Sequence, residues 1–345
     1  MPTQITTTQI VSEFGQYYEN AGQNSNRLKA ALTQPSETIQ KYTHRVKTND
    51  TIYKAGNFTR QKLVQPFSKI FNANGGVTFY PNEIRLRQMK VDLSLYPSDI
   101  EDAWLGFLAG KDSKEFKSWP IVKWLLEEYV TKQVQEDIEL DAIYNGVYDA
   151  QGTTPGTTMD GLKKKLQEGA TADYSINTVE GIGNLSAETI FDQIEAFDKA
   201  IPAMYQQMPL CIFVSPTWLR AYLEAKRENG FYQITGDSQI NAHIDFTNHK
   251  VVGLPSMANS DDMFATFPSN IACLSKRDIN STNIRIEEYL REVSILADWW
   301  MGIGFDCNKF VWATSETVST NADGEQGNQG NQGTQGNQGA QGTQG

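Results

Sequence analysis

Gly181-Ile182-Gly183-Asn184-Leu185-Ser186 opens a helical stretch and looks at first like a phosphate-cradling turn. A dinucleotide fingerprint needs an apolar strand before its glycines. It also needs a glycine or alanine at the last position, where helix and strand must approach closely. Ser186 holds that position here and no such strand precedes, so the segment reads as a helix-entry loop. Val214-Ser215-Pro216 lacks the flanking glycines of a nucleophile elbow, and Ser215 is better placed as a helix cap. Asp261-Asp262 and Glu287-Glu288 are adjacent pairs. Neighbouring residues share neither a helix face nor a strand face, so such pairs make poor acid/base or metal sites.

His243 and His249 are six residues apart, off the spacing that sets two ligands on one helix face. Cys211, Cys273 and Cys307 show no zinc or redox spacing and read as small buried apolar residues of a reducing compartment. Lys163-Lys164-Lys165 reads as a solvated helix face. Trp299 and Trp300 lie in an extended stretch, so their rings point to opposite sides, one to the core and one toward a neighbour. None of these groups makes a catalytic constellation. The expectation is a protein that is no enzyme and holds neither cofactor nor metal.

The elements that would position these residues follow from periodicity. Ile10, Phe14, Tyr17 and Tyr18 have helical spacing in an otherwise polar stretch and predict an arm that needs a partner surface. Residues 50–100 read as strands, with short ones at 51–54 and 57–60, a turn at Gly75-Gly76, and an alternating run from Ile84 to Tyr96. The alternation slips near Gln88-Met89, which predicts a bulge or a change of partner. That run predicts an extended hairpin projecting from a body. Val122, Leu126, Val130, Val134, Ile138 and Ala142 recur every fourth residue and predict a long spine helix over 118–148, capped by Ser118. Residues 159–285 alternate helices and strands: a helix from Asp160, another from Ser186, and strands at 210–214, 250–254 and 264–274. From Asn283 to Trp312 the chain is extended again.

From Gly324 to Gly345 a glycine falls at every third position, each next one preceded by Gln. Collagen uses that period because only glycine fits its crowded axis, but no proline follows Pro268 to preset the geometry. This end reads as a polar, disordered tail, with a trimeric collagen-like stalk as the alternative. The whole chain has 345 residues with 30 Lys+Arg against 41 Asp+Glu, a formal charge of −11. That balance argues against sequence-specific nucleic-acid binding. No apolar run is long enough for a transmembrane helix, and the first residues have no basic and apolar leader pattern.

The succession of arm, long hairpin, spine helix, α/β lobe and return strands resembles the tailed-phage major capsid proteins of the Hong Kong 97 type. Local strings agree. Val91-Asp-Leu-Ser-Leu-Tyr96 entering Pro97-Ser-Asp-Ile resembles the end of an E-loop, and Cys211-Ile-Phe-Val214 before Ser215-Pro-Thr-Trp218 an axial-domain strand and helix. His249-Lys-Val-Val-Gly253 resembles a second axial-domain strand, and Ala297-Asp-Trp-Trp-Met301 a closing strand.

The resemblance implies an α+β, Hong Kong 97-like capsid fold. Its parts would be an N-arm (1–49), an E-loop hairpin (50–100), a peripheral (P) domain with the spine (101–152), an axial (A) domain (153–282), return strands of the P domain (283–315) and the tail (316–345). It implies a major capsid protein that assembles in the host bacterial cytoplasm into an icosahedral shell of hexamers and pentamers. The shell would enclose double-stranded DNA without reading its sequence. Implied partners are other copies of itself, portal and scaffolding proteins and decoration proteins, with no membrane. An encapsulin-like nanocompartment shell and a collagen-tailed adhesin are the alternatives. Arg85, Arg87, Lys90, Trp299 and Trp300 are the expected assembly contacts, the three cations facing an acidic neighbour.

Overall fold

A computed structural model describes residues 6–19, 28–29, 37–60, 64–73, 76–110, 120–230, 234–235, 239–240, 242–277 and 283–319. The Gly-x-Gln tail, the Ser118 cap and Gly75 lie outside them. In chain order the strands are β1 (His44–Thr48), β2 (Ile52–Arg60), β3 (Val77–Arg85), β4 (Arg87–Leu95), β5 (Asn177–Val179), β6 (Cys211–Val214), β7 (Ile234–Thr235) and β8 (Gln239–Ile240). They continue with β9 (Lys250–Gly253), β10 (Phe264–Thr266), β11 (Ile271–Lys276), β12 (Asn283–Tyr289), β13 (Glu292–Phe305) and β14 (Val311–Thr314). Helices and sheets mix as an α+β fold.

The 14-residue β13 is the axis of the first sheet. Such a length, far above the usual five or six residues, persists because three strands share it. One edge pairs antiparallel with β12 and, further on, with β11; the other pairs with β4 from Val293 to Met301. β1 adds in parallel to β11. The second sheet has the order β5-β14-β10-β6-β9. Ile190, Ile194 and Phe197 stand at helical spacing on the helix Ile190–Ala200 and are buried in the cluster formed with that sheet's Ile212, Val214 and Val251. The helix Pro216–Glu228 starts where expected: the Ser215 side chain accepts from Trp218 N, and Pro216 stands at the first helical position.

The spine runs through Ile121–Trp124 (α), Leu125–Val130 (π), Thr131–Asp137 (α) and Ile138–Ala142 (π). A pure α-helix, at about 3.6 residues per turn, would let a four-residue repeat wind around its surface. Turns closed by i→i+5 bonds hold more residues, so interleaved π segments keep the repeat on one face. All six repeat residues, from Val122 to Ala142, are buried. The helix ends six residues before the expected Tyr148.

Several expectations are corrected. The arm does not wait for a partner subunit. Its helix Thr7–Phe14 and π turn Gly15–Glu19 bury Ile10, Phe14 and Tyr18 in the core formed with the spine and β13 of the same chain. The later segment Glu37–Tyr42 is anchored by Thr38, whose N–H and hydroxyl both donate to the buried Glu139 of the spine. The two short strands near residue 55 are the single strand β2. The helix expected at Ser186 begins at Ile190. The stretch 264–274 is two strands, β10 in the second sheet and β11 in the first, and β14 returns to the second sheet. The two sheets thus exchange strands across the expected domain limits.

Candidate assembly surface

β2 and β3 pair only with each other, from Ile52 opposite Arg85 to Arg60 opposite Val77. The alternating run expected as one strand changes partner at Leu86, two residues before the slip seen in the sequence. Its first part belongs to the hairpin, while β4 belongs to the first sheet. A two-stranded ribbon is marginal by itself, and the root of this one is held by a polar network. Asn82 Nδ2 donates to the Phe305 carbonyl and, at 2.9 Å, to Asn308 Oδ1. Asn308 Nδ2 donates to the Tyr174 carbonyl at 3.1 Å, and Asn57 donates to the Asp306 carbonyl. His44 Nε2 lies 3.0 Å from Asp306, whose carboxyl burial raises above its ordinary value despite the opposing imidazole. Tyr80 stacks on Tyr174 with ring centroids 5.2 Å apart. β13 passes directly beneath this root: a Cβ on Gly302 would stand 2.5 Å from the Arg85 carbonyl oxygen.

Past the root, the loop between β2 and β3 turns its apolar residues outward. Val64, Phe67 and Phe71 are each more than 90% exposed, and Ile70 is 79% exposed. The loop is ordered locally, with Gln65 Nε2 donating to the Asn72 carbonyl at 2.8 Å and Ile70 N to Ser68 Oγ at 3.2 Å. Contiguous exposed apolar groups of this kind mark an interaction surface. Sequence reasoning missed them because it weighed cations and tryptophans; Pro66-Phe67 and Ile70-Phe71 between two strands were the available signal.

The five expected contact residues fall into different places. Arg85 is exposed at the hairpin root. The Arg87 guanidinium lies 3.6 Å from the centre of the Tyr148 ring of its own chain. Lys90 is exposed on β4 and paired with Asp92. The two tryptophans do take opposite sides. Trp299 is buried in the main core, while Trp300 is half-buried against Ile84 and Leu86, with Lys276 Nζ 5.0 Å from its ring centre. The structure does not gather the five into one surface.

The residues weighed for chemistry have structural partners. Gly181 and Gly183 take φ of 81° and 70°, which the loop backbone requires, and Gln193 closes that loop with bonds to the Ile182 and Asn184 carbonyls. Asp261 accepts from Trp218 Nε1 at 2.9 Å. Asp262 pairs with Lys163 at 2.9 Å, so Lys163 is not merely solvated. Cys273 is buried and Cys211 half-buried, and burial pushes their thiols up to about 12 and about 11. His249 is fully buried: Nδ1 lies 2.5 Å from Asp198 Oδ1 and Nε2 lies 3.0 Å from the Tyr205 carbonyl. Both partners are acceptors, so only the doubly protonated ring satisfies both. Burial pulls His249 down, but the bonds to Asp198 and Tyr205 outweigh it and the net value is raised.

No protein-family model matches the chain, and no curated protein sequence matches it. Solved structures do. A chain of the satellite phage P4 procapsid, a particle that includes the size-determination protein, superposes with a TM-score of 0.57 at 15% identity over 88% of this chain and 95% of that one. The capsid of an empty GTA particle gives 0.52 at 11% identity, covering 82% of this chain and 89% of the other. The chain has the Hong Kong 97-type capsid fold. The β2–β3 hairpin lies within the range expected for the E-loop, and the helix Ile121–Ala142 within the range expected for the spine.

Proposed function

We propose that this protein is the major head protein of a tailed phage, assembling into an icosahedral shell of hexamers and pentamers around double-stranded DNA. The observation that carries the reading is the exposed apolar hairpin loop standing on a rigidly clamped root within a capsid fold. A lone subunit has no use for Val64, Phe67, Ile70 and Phe71 in water. A shell covers such a loop with a neighbour in every copy, and many modest contacts then add to a stable closed particle. The net charge of −11 suits a lining that must not adhere to the packaged genome.

The same reading takes portal, scaffolding and decoration proteins as partners, the host cytoplasm as the place of assembly and the virion as the final location. Arg85 and Lys90, both exposed, are its polar contact candidates; Trp299 serves the subunit's own core. The test is expression in bacteria with the neighbouring phage structural genes, followed by electron microscopy. Closed particles containing DNA are the expected result. Particles that hold a cargo enzyme in place of DNA would transfer the chain to the nanocompartments. A chain that stays monomeric with every scaffold supplied would refute the shell.

A further inference from the structure

His249 stands where three segments of the chain meet. It leads into β9, while Asp198 belongs to the last turn of the helix Ile190–Ala200 and the Tyr205 carbonyl to the loop 202–209. The histidine is fully buried and Asp198 is buried with it. Nδ1 lies 2.5 Å from Asp198 Oδ1 and Nε2 lies 3.0 Å from the Tyr205 oxygen. A neutral imidazole has one N–H, so with an acceptor on each side one ring nitrogen must turn its lone pair toward an oxygen. The carboxylate holds the remaining N–H more strongly, because its bond is charge-assisted. The Tyr205 carbonyl is then the partner that is released, and it still accepts from Met208 N at 2.8 Å.

We propose that His249, Asp198 and Tyr205 form a proton-operated latch: the imidazolium closes the loop 202–209, and loss of its proton frees that loop. Tyr205 sets what the latch covers. Its ring packs on Phe267, Phe310 and Trp312, with centroids 6.4, 6.2 and 5.2 Å away. A shift of the Tyr205 carbonyl moves this ring and opens apolar surface beside the exposed Met204 and Met208. The opening stays local, because the loop's other ties do not titrate. Asn248 N donates to the Gln206 carbonyl at 2.8 Å, and Lys250 N to the Leu210 carbonyl at 3.0 Å. The remaining charges around the ring are engaged elsewhere. Glu195 and Lys199 of the same helix pair with each other, and Lys226 of the next helix is held by the His243 carbonyl and Asp245. Burial keeps the Tyr222 hydroxyl protonated. Cys211 and Lys250, paired in register, alternate with Ile212 and Val251 and so lie on the other face of the sheet. Asp198 is thus the charge that sets the ring's protonation. Burial opposes the charged ring, but the bonds to Asp198 and Tyr205 raise its value above the ordinary one, so the latch opens on the alkaline side.

The test uses the full chain and two readouts over a pH series that starts below the ordinary histidine value and ends well above it. Nitrogen-15 shifts of the three histidines give the protonation of each ring, and His249→Gln identifies the signals of His249. Hydrogen–deuterium exchange, corrected for its intrinsic rise with pH, gives the protection of the 203–208 amides, with β11 as the reference. At the low end His249 should carry a proton on both nitrogens. As that ring titrates, protection of the loop should fall about tenfold while β11 keeps its own. His249→Gln should abolish the step, and Asp198→Asn should move its midpoint to lower pH, since the imidazolium loses its counter-charge. A merely structural pair would not give a step that follows the ring. A singly protonated His249 in the protected loop, unchanged protection across its titration, or an unmoved midpoint in Asp198→Asn overturns the latch. Circular dichroism checks the fold of each variant; if either fails to fold, the wild-type shifts and exchange decide by themselves.

Discussion

Replacing both Phe67 and Phe71 with serine separates assembly from folding. Both rings are 92% exposed in the subunit, so their removal should change subunit stability by no more than about 0.5 kcal/mol. Covered by a neighbour, each ring would contribute about 1.5–3 kcal/mol. Ordering each side chain costs about 0.5–1.5 kcal/mol. With central values for both terms, the net contribution is about 1.2 kcal/mol per ring, or about 2.5 kcal/mol for the pair, a loss of roughly 70-fold in the pairwise contact constant. Subunit melting is followed by circular dichroism, and assembly by light scattering over a concentration series with micrographs at each point. The expected variant melts like the wild type and fails to form shells at concentrations where the wild type does. Assembly at the wild-type concentration would show that the loop is no contact. A melting point several degrees lower would show that the loop packs on its own chain.

Gly302→Ala places a methyl group against the Arg85 carbonyl and should destabilise the subunit by about 1–3 kcal/mol, measurable by thermal melting. His249 titrates above its ordinary value, so the stability it contributes is complete below the unfolded value of about 6.5 and is lost as pH rises through the folded value. Wild-type melting should therefore fall across that alkaline limb, and His249→Gln should flatten the dependence; identical pH profiles would refute the assignment. Removal of the chain after Asn321 should leave assembly and melting unchanged, because the Gly-x-Gln stretch has no large apolar side chain to bury. Loss of shells on that truncation would contradict the expectation.

Local chemistry in the sequence was enough for the pieces that depend on a few neighbouring residues. The four-residue apolar repeat from Val122 to Ala142 marks the spine, and Ser215-Pro216 marks a helix start with cap and first turn. Trp299 and Trp300 take opposite faces because strand geometry leaves no alternative. The order of these pieces was sufficient to name the fold. Tertiary structure decided which strands are neighbours: β10 and β11, a few residues apart, lie in different sheets, and β14 crosses back. It also decided that the N-terminal arm is covered by its own spine, and that the exposed apolar surface is the hairpin loop. The reason is physical. Helix and turn preferences act over a few residues and are written in side-chain spacing. Strand pairing uses backbone N–H and C=O groups that every residue carries, so alternation fixes which side chains face inward while saying nothing of the partner.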